Sequence, residues 1–576
     1  MPVRMMCNIR ITGLFAAIAV FWGLLSCSGR ESLVSSEGEV DWNRYYSTAE
    51  THRIMREFAD LYPDLTTMYT IGKSLQMVDL YVIEVSNMNN RPAENKPAVY
   101  IDGNIHSGEL TGSAVTLYFM GYLLNNYGTD PVVTELLDNL VFYIRPKFNP
   151  DGADLALFEH VSLRSTVRPF DNDGDGTTDE DPGDDLDGDG WITRMRYRDP
   201  DGSMKKHPLD QRIMIRRESD ETGGEYYTVV NEGIDNDGDG RINEDGPGGL
   251  DLNRNFPRNW ELQYLQSGAG AFPLSEPETY YTLKFLDSKP NTTFIIHNHT
   301  SGGFVYRLPS TADPSEFPPD DLELINLLSE EYTTLTGRPV RQSYTSPETH
   351  RYGTLISWGY WDRGIIGWVP EYWPGIESDS DGNGRTDEAE LLSYLEREFQ
   401  GRYFTDWTQF DHPEYGSVEI GGFHRMFLSQ NPPSELLEEE CAEQVSWFLY
   451  IAQQVPMLEM TEPEVTALTD GRFRIQVTVS NRGFLPTNLT ERGILAEVVR
   501  PVEAGITLTG CSLVEGEQTV TLGHLAGRRP VIDPARVSQR TVIWTVVSES
   551  STAAFKITAS SERAGTVSTG NKLLER

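Results

Sequence analysis

The sequence predicts an α/β domain with a mixed sheet and helices on both faces, interrupted by an Asp-rich insertion and followed by a β-sandwich. Three observations lead to this prediction. Strand-like and helical patterns alternate between residues 41 and 457, acidic residues accumulate between about 170 and 249, and β-rich runs fill 458–576. Alternating strands and helices are typical of layered α/β domains, whereas short strands separated by turn residues are typical of sandwiches.

The α/β region opens with a clear alternation of elements. The segments "THRIMREFADLY" and "GSAVTLYFMGYLLNNY" predict helices, the first from its apolar spacing and the second from its strongly apolar length. The runs "DLYVIEVS", "KPAVYI" and "NLVFYIRPKFNPDG" predict strands, the last ending in a turn. Further along the chain, "TTFIIHNHT", "LISWGYW" and "IIGWVPEYW" extend the predicted strand count.

The C-terminal region differs from the α/β region in its residue pattern. It contains the runs "RFRIQVTVSNRG", "GILAEVVRP", "QRTVIWTVV" and "AAFKITASS", which predict strands spaced by turn residues. It holds no cluster of His, Asp or Cys of catalytic type. We therefore predict a small β-sandwich and assign it no chemistry.

The N-terminus has the pattern of an export signal. Basic residues precede "ITGLFAAIAVFWGLLSC", an apolar run of signal-peptide length. The ending resembles the lipobox of bacterial lipoproteins, with Cys27 as the lipidated residue and residues 28–40 as a polar tether. We expect a protein anchored by lipid at the periplasmic or outer face of a bacterial cell envelope, with secretion after an ordinary signal peptide as the alternative.

Length, charge and cysteines narrow the class of protein. A chain of 576 residues is too long for one core, so several domains are expected. Its formal charge of −39 argues against nucleic acid as a partner, because nucleic-acid binding needs a basic surface. Beyond the signal and lipobox cysteines only Cys441 and Cys511 remain, so no disulfide framework is expected and a bridge between the two is weakly favoured.

The insertion repeats one acidic pattern. Residues 171–245 contain 23 Asp plus Glu against 9 Lys plus Arg. "DNDGDG" begins at 171 and again at 235, "DLDGDG" begins at 185, and a related "DSDGNG" begins at 379, outside the insertion. In such a loop the carboxylates at alternate positions converge on one hard cation, and the glycine permits a sharp turn.

We therefore predict structural Ca²⁺ sites in these loops, with solvated acidic loops as the alternative. Zinc is a poor match for all-oxygen loops. The loop that begins at Asp379 has a glutamate in the twelfth position, as in an EF-hand, and the other three do not. The predicted calcium ligands are Asp171, Asp173, Asp175, Asp185, Asp187, Asp189, Asp235, Asp237, Asp239, Asp379, Asp381, Asn383 and Glu390.

A second metal pattern follows the predicted strand "KPAVYI". His106 and Glu109 lie three residues apart just beyond the end of this strand. Zinc favours nitrogen and carboxylate ligands, and a catalytic site uses three of them. A lone H-x-x-E is usually an ordinary polar loop, so a distant histidine is required. The strand "FIIHNHT" offers His297 and His299, which point the same way, so strand alternation does not choose between them.

The ordered set of motifs resembles the zinc carboxypeptidases, the carboxypeptidase A-like metallopeptidases. The resemblance covers roughly residues 41–455 and implies a carboxypeptidase-like fold. It is carried by the H-x-x-E motif, by "NPDG" at 149–152, by "SLRSTVRP", "DLNRNF" and "HTSGG", and by "GWVPEYW" at the end of a late strand. One of these motifs alone is weak evidence, whereas the set in order is specific.

The resemblance implies a role for each matched residue. His106, Glu109 and His299 would hold one Zn²⁺, with His299 preferred over His297 because a small hydroxyl residue follows the family's ligand. Glu371 would be the general base and Arg164 the oxyanion stabiliser, with Arg168 as a rival. Two further residues, Asn253 and Arg254, would clasp the terminal carboxylate of a peptide.

Two positions depart from the family pattern. Gly108 stands where the family often has an arginine, which suggests that an outer substrate subsite is lost. The family's mobile tyrosine has no clean counterpart, and Tyr352 is the best candidate. Ile356 is expected near the base of the specificity pocket, which implies uncharged substrate side chains rather than Lys or Arg.

The sequence thus predicts a lipid-anchored zinc metallocarboxypeptidase that acts on peptides with a free C-terminus. One alternative keeps the zinc site but cleaves peptidoglycan stem peptides or amides. A second alternative is a non-enzymatic, calcium-stabilised surface-binding protein with a degenerate peptidase domain.

Overall fold

The computed structural model describes residues 32–161, 163–346, 351–528 and 537–574. The α/β region contains nine helices within these residues: α1 (Thr48–Leu61), α2 (Leu110–Asn126), α3 (Pro131–Asn139), α4 (Pro150–Glu159), α5 (Pro277–Asp287), α6 (Pro319–Thr336), α7 (Leu355–Arg363), α8 (Glu388–Phe399) and α9 (Leu437–Gln453). Its strands are β1 (Thr66–Lys73), β2 (Asp79–Val85), β3 (Ala98–Gly103), β4 (Val141–Arg145), β5 (Arg194–Arg198), β6 (Met204–Lys206), β7 (Met214–Arg216), β8 (Tyr227–Asn231), β9 (Thr292–Thr300), β10 (Phe304–Arg307), β11 (Val340–Gln342), β12 (Ile366–Tyr372), β13 (Phe404–His412) and β14 (Gly416–Phe423).

An eight-stranded mixed sheet forms the centre of the α/β region. Its order is β1-β2-β4-β3-β9-β12-β10-β11. Strands β4, β3, β9 and β12 run parallel, while β1, β2 and β10 pair antiparallel to their inner neighbours. All residues of β3, β4 and β9 are buried, so both faces of the central strands are covered, as parallel strands require. The predicted α/β fold with a mixed sheet is confirmed.

Helices cover this sheet and begin at polar caps. Helix α2 packs on β3, β4 and β9 and against α9, α5 packs on β1, and α7 packs on β12 and β9. Ser47 caps α1 in a reciprocal arrangement with Glu50, in which each side chain accepts a backbone N–H of the other. The carboxyl ends of β3, β9 and β12 therefore meet at one edge of a rigid, covered sheet, which is where α/β folds bind ligands.

The Asp-rich insertion contains four β-strands that its acidic composition did not predict. Its strands β5, β8, β6 and β7 join β14 and β13 in an antiparallel sheet of order β13-β14-β5-β8-β6-β7. Met195 of β5 packs with Val418 and Ile420 of β14 in a small core, and Arg196 pairs with Glu419 at 2.9 Å. The sheet forms between segments more than 200 residues apart, so the insertion is ordered by a distant partner.

The C-terminal region is a β-sandwich of two antiparallel sheets, as predicted. Its elements are β15 (Leu458–Met460), β16 (Glu464–Ala467), β17 (Arg472–Asn481), helix α10 (Glu491–Leu495), β18 (Val502–Thr509), β19 (Cys511–Glu515), β20 (Thr519–Gly523), β21 (Gln539–Ser548), β22 (Ala554–Ser561), β23 (Gly565–Ser568) and β24 (Lys572–Leu573). One sheet has the order β15-β17-β21-β19 and the other β20-β18-β22-β23. Alternate residues of β17 and β22 point into a shared apolar core.

One predicted strand is a helix, and another begins in a helix and continues without strand structure. "LISWGYW" lies in α7, where the Thr354 side chain caps the first turn by accepting the backbone N–H of Ser357. Its residues Leu355 to Trp361 are all buried, so the apolar run lacks the alternation that separates strand from helix. "GILAEVVRP" begins within α10, which is capped by Thr490 and packs against α7.

The N-terminal segment differs from a free tether where it is described. The backbone N–H groups of Leu33 and Val34 donate to Glu57 of α1 at 2.9 and 2.8 Å, and Val34 is buried in the main core. The apolar Val34 and its hydrogen bonds hold this segment to the domain. The signal peptide, Cys27 and the first residues of the predicted tether lie outside the described residues.

Two further findings concern cysteines and membranes. Cys441 is buried in the main core and Cys511 is partly buried in the sandwich, and both are free thiols, so the weakly favoured bridge is absent. Among the helices of the described ranges, none combines the length and apolar character needed to cross a bilayer.

Candidate functional site

Three predicted metal-binding residues meet at the carboxyl edge of the main sheet. His106 and Glu109 lie in the turn between β3 and α2, and His299 lies at the end of β9. The Nδ1 atoms of the two histidines are 3.0 Å apart, and each is 2.7 Å from an oxygen of Glu109. The three side chains are buried and their ligand atoms form one compact group.

This donor set fits a zinc ion. Ligand atoms that share a tetrahedral zinc lie roughly 3 Å apart, and two imidazole nitrogens with one carboxylate are a usual catalytic set. Burial lowers the pKa of His299 to about 3, so its imidazole is neutral and able to bind a metal. Burial alone would raise the pKa of Glu109, but the facing His106 and His299 bring it below its usual range.

Asn104 and Asp251 orient the metal-binding turn, and neither was assigned a role from the sequence. The Asn104 side-chain amide donates to the carbonyls of His106 and Ser107 at 2.9 and 3.0 Å, and Asn104 itself adopts a left-handed backbone, φ 66°. Asp251 Oδ1 lies 3.1 Å from His106 Nε2, on the side of the ring away from Nδ1. A carboxylate on the second ring nitrogen fixes the ring and its tautomer.

Asp251 also organises the cationic side of the site. Its Oδ2 accepts a hydrogen bond from Arg164 Nε at 2.8 Å, and Arg254 Nε lies 3.9 Å away. Burial would raise the pKa of Asp251, but Arg254, His106 and Arg164 bring it well below the usual value. The signal in the sequence is its position at the start of "DLNRNF", the same motif that supplies Asn253 and Arg254.

The structure distinguishes Arg164 from its rival Arg168. Arg164 lines the cavity beside the metal-facing residues, and its Nη1 is 3.6 Å from Glu109 Oε1. Arg168 instead pairs with the buried Glu276 at 2.8 Å and does not line that cavity. Of these two arginines, only Arg164 faces the cavity.

The two histidines of β9 are also distinguished. His297 Nδ1 lies 2.5 Å from Asp102 Oδ1, in a fully buried pair across β9 and β3. Its ring packs 4.5 Å from the ring of His299. His299 alone reaches the carboxylate of Glu109, so His297 supports the ligand from behind.

Glu371 lies beside the metal-facing group. It is on β12, in direct register with His299 of β9 and Phe304 of β10. Burial and the negative charge of Glu109 raise its pKa well above the usual value, although Arg164, Arg351 and Arg254 oppose the shift. A carboxyl group with a raised pKa is suited to taking up and releasing a proton.

A cavity of about 390 Å³ opens in front of these residues. Asn253, Arg254 and Ile356 line it, in agreement with their expected position, whereas Tyr352 is not among its lining residues. Tyr306 of β10 is the tyrosine that faces the cavity. Arg351, which was not assigned a role from the sequence, also lines the cavity.

Close packing explains why position 108 is a glycine rather than the arginine of the family pattern. Its N–H donates to Leu163 O at 2.6 Å, and a Cβ at this position would approach that carbonyl and the Gln430 side chain to about 3.0 Å. The turn between β3 and α2 packs too closely here for a long side chain without a shift of its neighbours.

The four acidic loops share one turn geometry. In each, the first aspartate accepts backbone N–H groups of both glycines, at 2.6 to 3.0 Å. The loops that begin at Asp171 and Asp235 face each other, because ligand oxygens of Asp173, Asp237, Asp239 and Glu244 lie within 4.8 Å of one another.

The facing loops are related by a reciprocal arrangement. Asn172 donates to Asp245 at 2.8 Å and Asn236 donates to Asp181 at 3.0 Å, while Asp181 and Asp245 form a β-bridge. Both aspartates are buried. The reciprocal bonds hold the two acidic loops together.

Two glutamates that were not predicted as ligands lie in these loops. Both oxygens of Glu180 and of Glu244 are buried without a hydrogen-bond partner among the described residues. Burial and the nearby Asp245 raise the pKa of Glu180 to about 7, and Asp181 together with burial raises that of Glu244 to about 7. Both follow their loop's first aspartate by nine residues, which an EF-hand spacing does not anticipate.

The remaining acidic loops use their carboxylates differently. Glu390 accepts the Ser380 N–H and hydroxyl, each at 2.7 Å, and completes the cap of α8 through Asp387. Asp185 and Asp187 form a group with the buried Glu232, whose oxygens accept the N–H groups of Leu186 and Thr193.

The fold and the two-histidine, one-glutamate group define a zinc-peptidase type of site. The family model for zinc carboxypeptidases matches residues 51–189 and 198–371, which is more than half of the chain, so the protein belongs to this family. A model for a domain of unknown function matches residues 457–571.

Related proteins agree over shorter segments. Carboxypeptidase D of Anas platyrhynchos is 35% identical over 121 residues, which is 21% of this chain and 9% of that protein. Carboxypeptidase A1 of Sus scrofa is 30% identical over 149 residues, 25% of this chain and 35% of that protein. The chain thus spans less than a tenth of the first relative's length and about a third of the second's. The crystal structure of thrombin activatable fibrinolysis inhibitor is similar with a TM-score of 0.45 and 18% identity, covering 73% of this chain and 79% of that one.

Proposed function

We propose that this protein is a zinc-dependent carboxypeptidase that removes residues from the C-termini of peptides. The observation that carries the proposal is the convergence of His106, Glu109 and His299 with Glu371 at one wall of a cavity that also contains Arg254. Family membership supports the same activity.

The buried donor set fits zinc, and His106, Glu109 and His299 would hold it. When bound, zinc supplies Lewis acidity toward a peptide carbonyl and toward water. The side chains around it would divide the remaining work between proton transfer, charge stabilisation and substrate positioning.

Glu371 would act as the general base. It would take a proton from the attacking water and pass it to the amine that leaves when the peptide bond breaks. Arg164 would stabilise negative charge on the carbonyl oxygen, since its guanidinium is held at the cavity edge by Asp251.

Asn253 and Arg254 would bind the terminal carboxylate of the substrate. Arg254 is almost completely buried, and a planar guanidinium suits a carboxylate with two parallel hydrogen bonds. An internal peptide bond offers no carboxylate at this position. The pair therefore favours removal of single C-terminal residues over internal cleavage.

Mass analysis of the products from a ten-residue peptide tests the proposal. We expect single residues to be released from the C-terminus, and no release by Glu371→Gln. Cleavage of purified muropeptides in preference to ordinary peptides would favour the stem-peptide alternative. Absence of any hydrolysis by zinc-loaded protein would favour the non-enzymatic alternative.

We also propose that the facing loops bind Ca²⁺. The support is the set of four buried glutamate oxygens in Glu180 and Glu244 that have no donor among the described residues, next to the loop aspartates. Oxygen-only groups of this kind suit Ca²⁺. Calorimetric titration of metal-stripped protein with Ca²⁺ should reveal binding that Glu180→Gln and Glu244→Gln weaken, while Asp220→Asn, an exposed site in the same insertion, leaves it unchanged.

Export and lipid anchoring through Cys27 remain a proposal supported by the sequence alone. We expect the wild-type protein to incorporate labelled fatty acid when expressed in a bacterium and to sediment with membranes. Cys27→Ala should remove both properties, and labelling that persists in this variant would contradict the proposal.

A further inference from the structure

Beyond the residues assigned above, the cavity has a second cationic wall. The cavity extends from the metal-facing residues to Arg351, which lies between β11 and α7. The surrounding surface combines apolar and hydroxyl groups, supplied by Tyr306, Ser310, Ser343, Thr354, Ile356 and Val369. A substrate side chain that enters this part of the cavity would meet a guanidinium.

The three arginines of the cavity differ in their contacts with the carboxylates of described residues. Arg164 and Arg254 both lie near Asp251, whereas no carboxylate of a described residue lies within 4.0 Å of Arg351. Arg351 nevertheless lines the same cavity as Glu371 and Arg254.

Contacts to one nitrogen and to the face of the guanidinium hold Arg351 in position. Nη1 donates to the Ser343 carbonyl at 2.9 Å, and the guanidinium carbon lies 5.0 Å from the Tyr306 ring centroid. Nε and Nη2 donate to no described residue. The guanidinium is therefore held in place while part of its donor edge is available to a ligand.

We propose that Arg351 is a specificity-determining residue that selects peptides with an acidic C-terminal side chain, glutamate or aspartate. This inference rests on the proposed carboxypeptidase function. A half-buried arginine with no acidic partner among the described residues binds a carboxylate more strongly than a neutral group, because charge-assisted bidentate bonds are the stronger ones. The expectation of uncharged side chains, based on Ile356, changes because Arg351 adds a charge to the same pocket.

The same charge would exclude basic residues. A C-terminal lysine or arginine would bring a like charge into a walled cavity, where repulsion is weakly screened. A neutral glutamine would fill the same volume as glutamate but leave the guanidinium without an anion. Glutamate and glutamine are therefore the most informative pair of substrates.

The test measures kcat/KM for blocked peptides that differ only in a C-terminal Glu, Asp, Gln, Phe or Lys, all with a free terminal carboxylate. We expect the wild-type enzyme to prefer Glu over Gln by about ten- to a hundredfold, the range of a charge-assisted hydrogen bond. Arg351→Ala should reduce the Glu to Gln ratio to about one while leaving the Gln peptide within a few fold of wild type.

Two further variants sharpen the assignment. Arg351→Glu should reverse the preference toward Lys, which a merely structural role for Arg351 would not do. Arg363→Ala is the matched control, because it also removes one positive charge but lies at the end of α7 in a surface pair with Asp287. It should keep the wild-type preference. Zinc content and thermal unfolding of each variant establish that it is folded.

The outcomes separate this inference from the function on which it rests. Equal cleavage of the Glu, Gln and Phe peptides by the wild type would overturn the role of Arg351 and leave the carboxypeptidase intact. An equal loss on all five peptides in Arg351→Ala would also overturn it, since Arg351 would then bind the terminal carboxylate. Failure to cleave any of the five would overturn the proposed function itself.

Discussion

The peptidase site and the facing acidic loops both concentrate carboxylates, but they balance the charge differently. At the site, Asp251 contacts His106 and Arg164 and lies near Arg254, so each anion has cations within reach. In the loops, Glu180 and Glu244 lie near Asp245 and Asp181, and their buried oxygens accept no hydrogen bond from a described residue. The first arrangement has its own counter-charges, whereas the second would be stabilised by the Ca²⁺ that we propose for these loops.

The two arrangements predict different consequences of metal removal. Zinc would enter a group already oriented by Asn104 and Asp251, so its removal should abolish chemistry but disturb the fold little. Calcium would hold together two loops that repel each other, so its removal should disturb the fold first.

His299→Ala should abolish tight zinc binding and all turnover, because it removes one of three ligands. His297→Ala is the matched control on the same strand. It should keep zinc but lose about 3 kcal/mol of stability, because it leaves Asp102 buried without its partner. Metal analysis and thermal unfolding measure both. Loss of zinc in His297→Ala with retention in His299→Ala would reverse the ligand assignment.

Glu371→Gln should keep zinc and lower kcat by at least about a hundredfold, since an amide cannot accept the proton. Its stability should stay close to that of the wild type. Single-turnover kinetics with zinc-loaded protein measure the effect, and near-normal turnover would remove Glu371 from the mechanism.

Asp251→Asn should weaken zinc binding by about ten- to a hundredfold, since the carboxylate behind His106 supports the ligand. Competition with a zinc-binding dye measures the affinity. An unchanged affinity would show that the ring needs no support from this side.

Removal of calcium should loosen the insertion. Protein stripped of all metal and resupplied with zinc alone should melt several degrees lower than protein resupplied with zinc and calcium. Limited proteolysis should cut between about 170 and 250 only in the sample without calcium. Identical melting curves and cleavage patterns in the two samples would mean that the loops are merely acidic.

The family resemblance selected His106, Glu109, His299 and Glu371 from the sequence, and the structure brings these four residues together at one edge of the main sheet. Each of them lies at or just beyond the end of a strand. Arg351 was not singled out because nothing local distinguishes one arginine near a loop from another. Its significance arises only from the cavity that several distant elements enclose.

For α7 and for strand β5 of the insertion, the local sequence lacks the pattern that would identify the element. Residues Leu355 to Trp361 of α7 are all buried, so the sequence lacks the periodicity that identifies a helix, and only the Thr354 cap and the left-handed Gly364 mark the ends of α7. In the insertion, "RMRYR" of β5 is mostly charged, and it pairs with β14, more than 200 residues later in the chain. Pairing at that separation leaves no local pattern.

Recognition of a free peptide C-terminus by Asn253 and Arg254 predicts a large difference between two otherwise identical substrates. Wild-type kcat/KM is compared for one peptide with a free terminal carboxylate and for the same peptide amidated. The amidated form should be cleaved at least about a hundredfold less well, because the buried Arg254 is left without a charged partner. Equal rates on the two peptides would contradict the claim and favour an endopeptidase or amidase on the same zinc site.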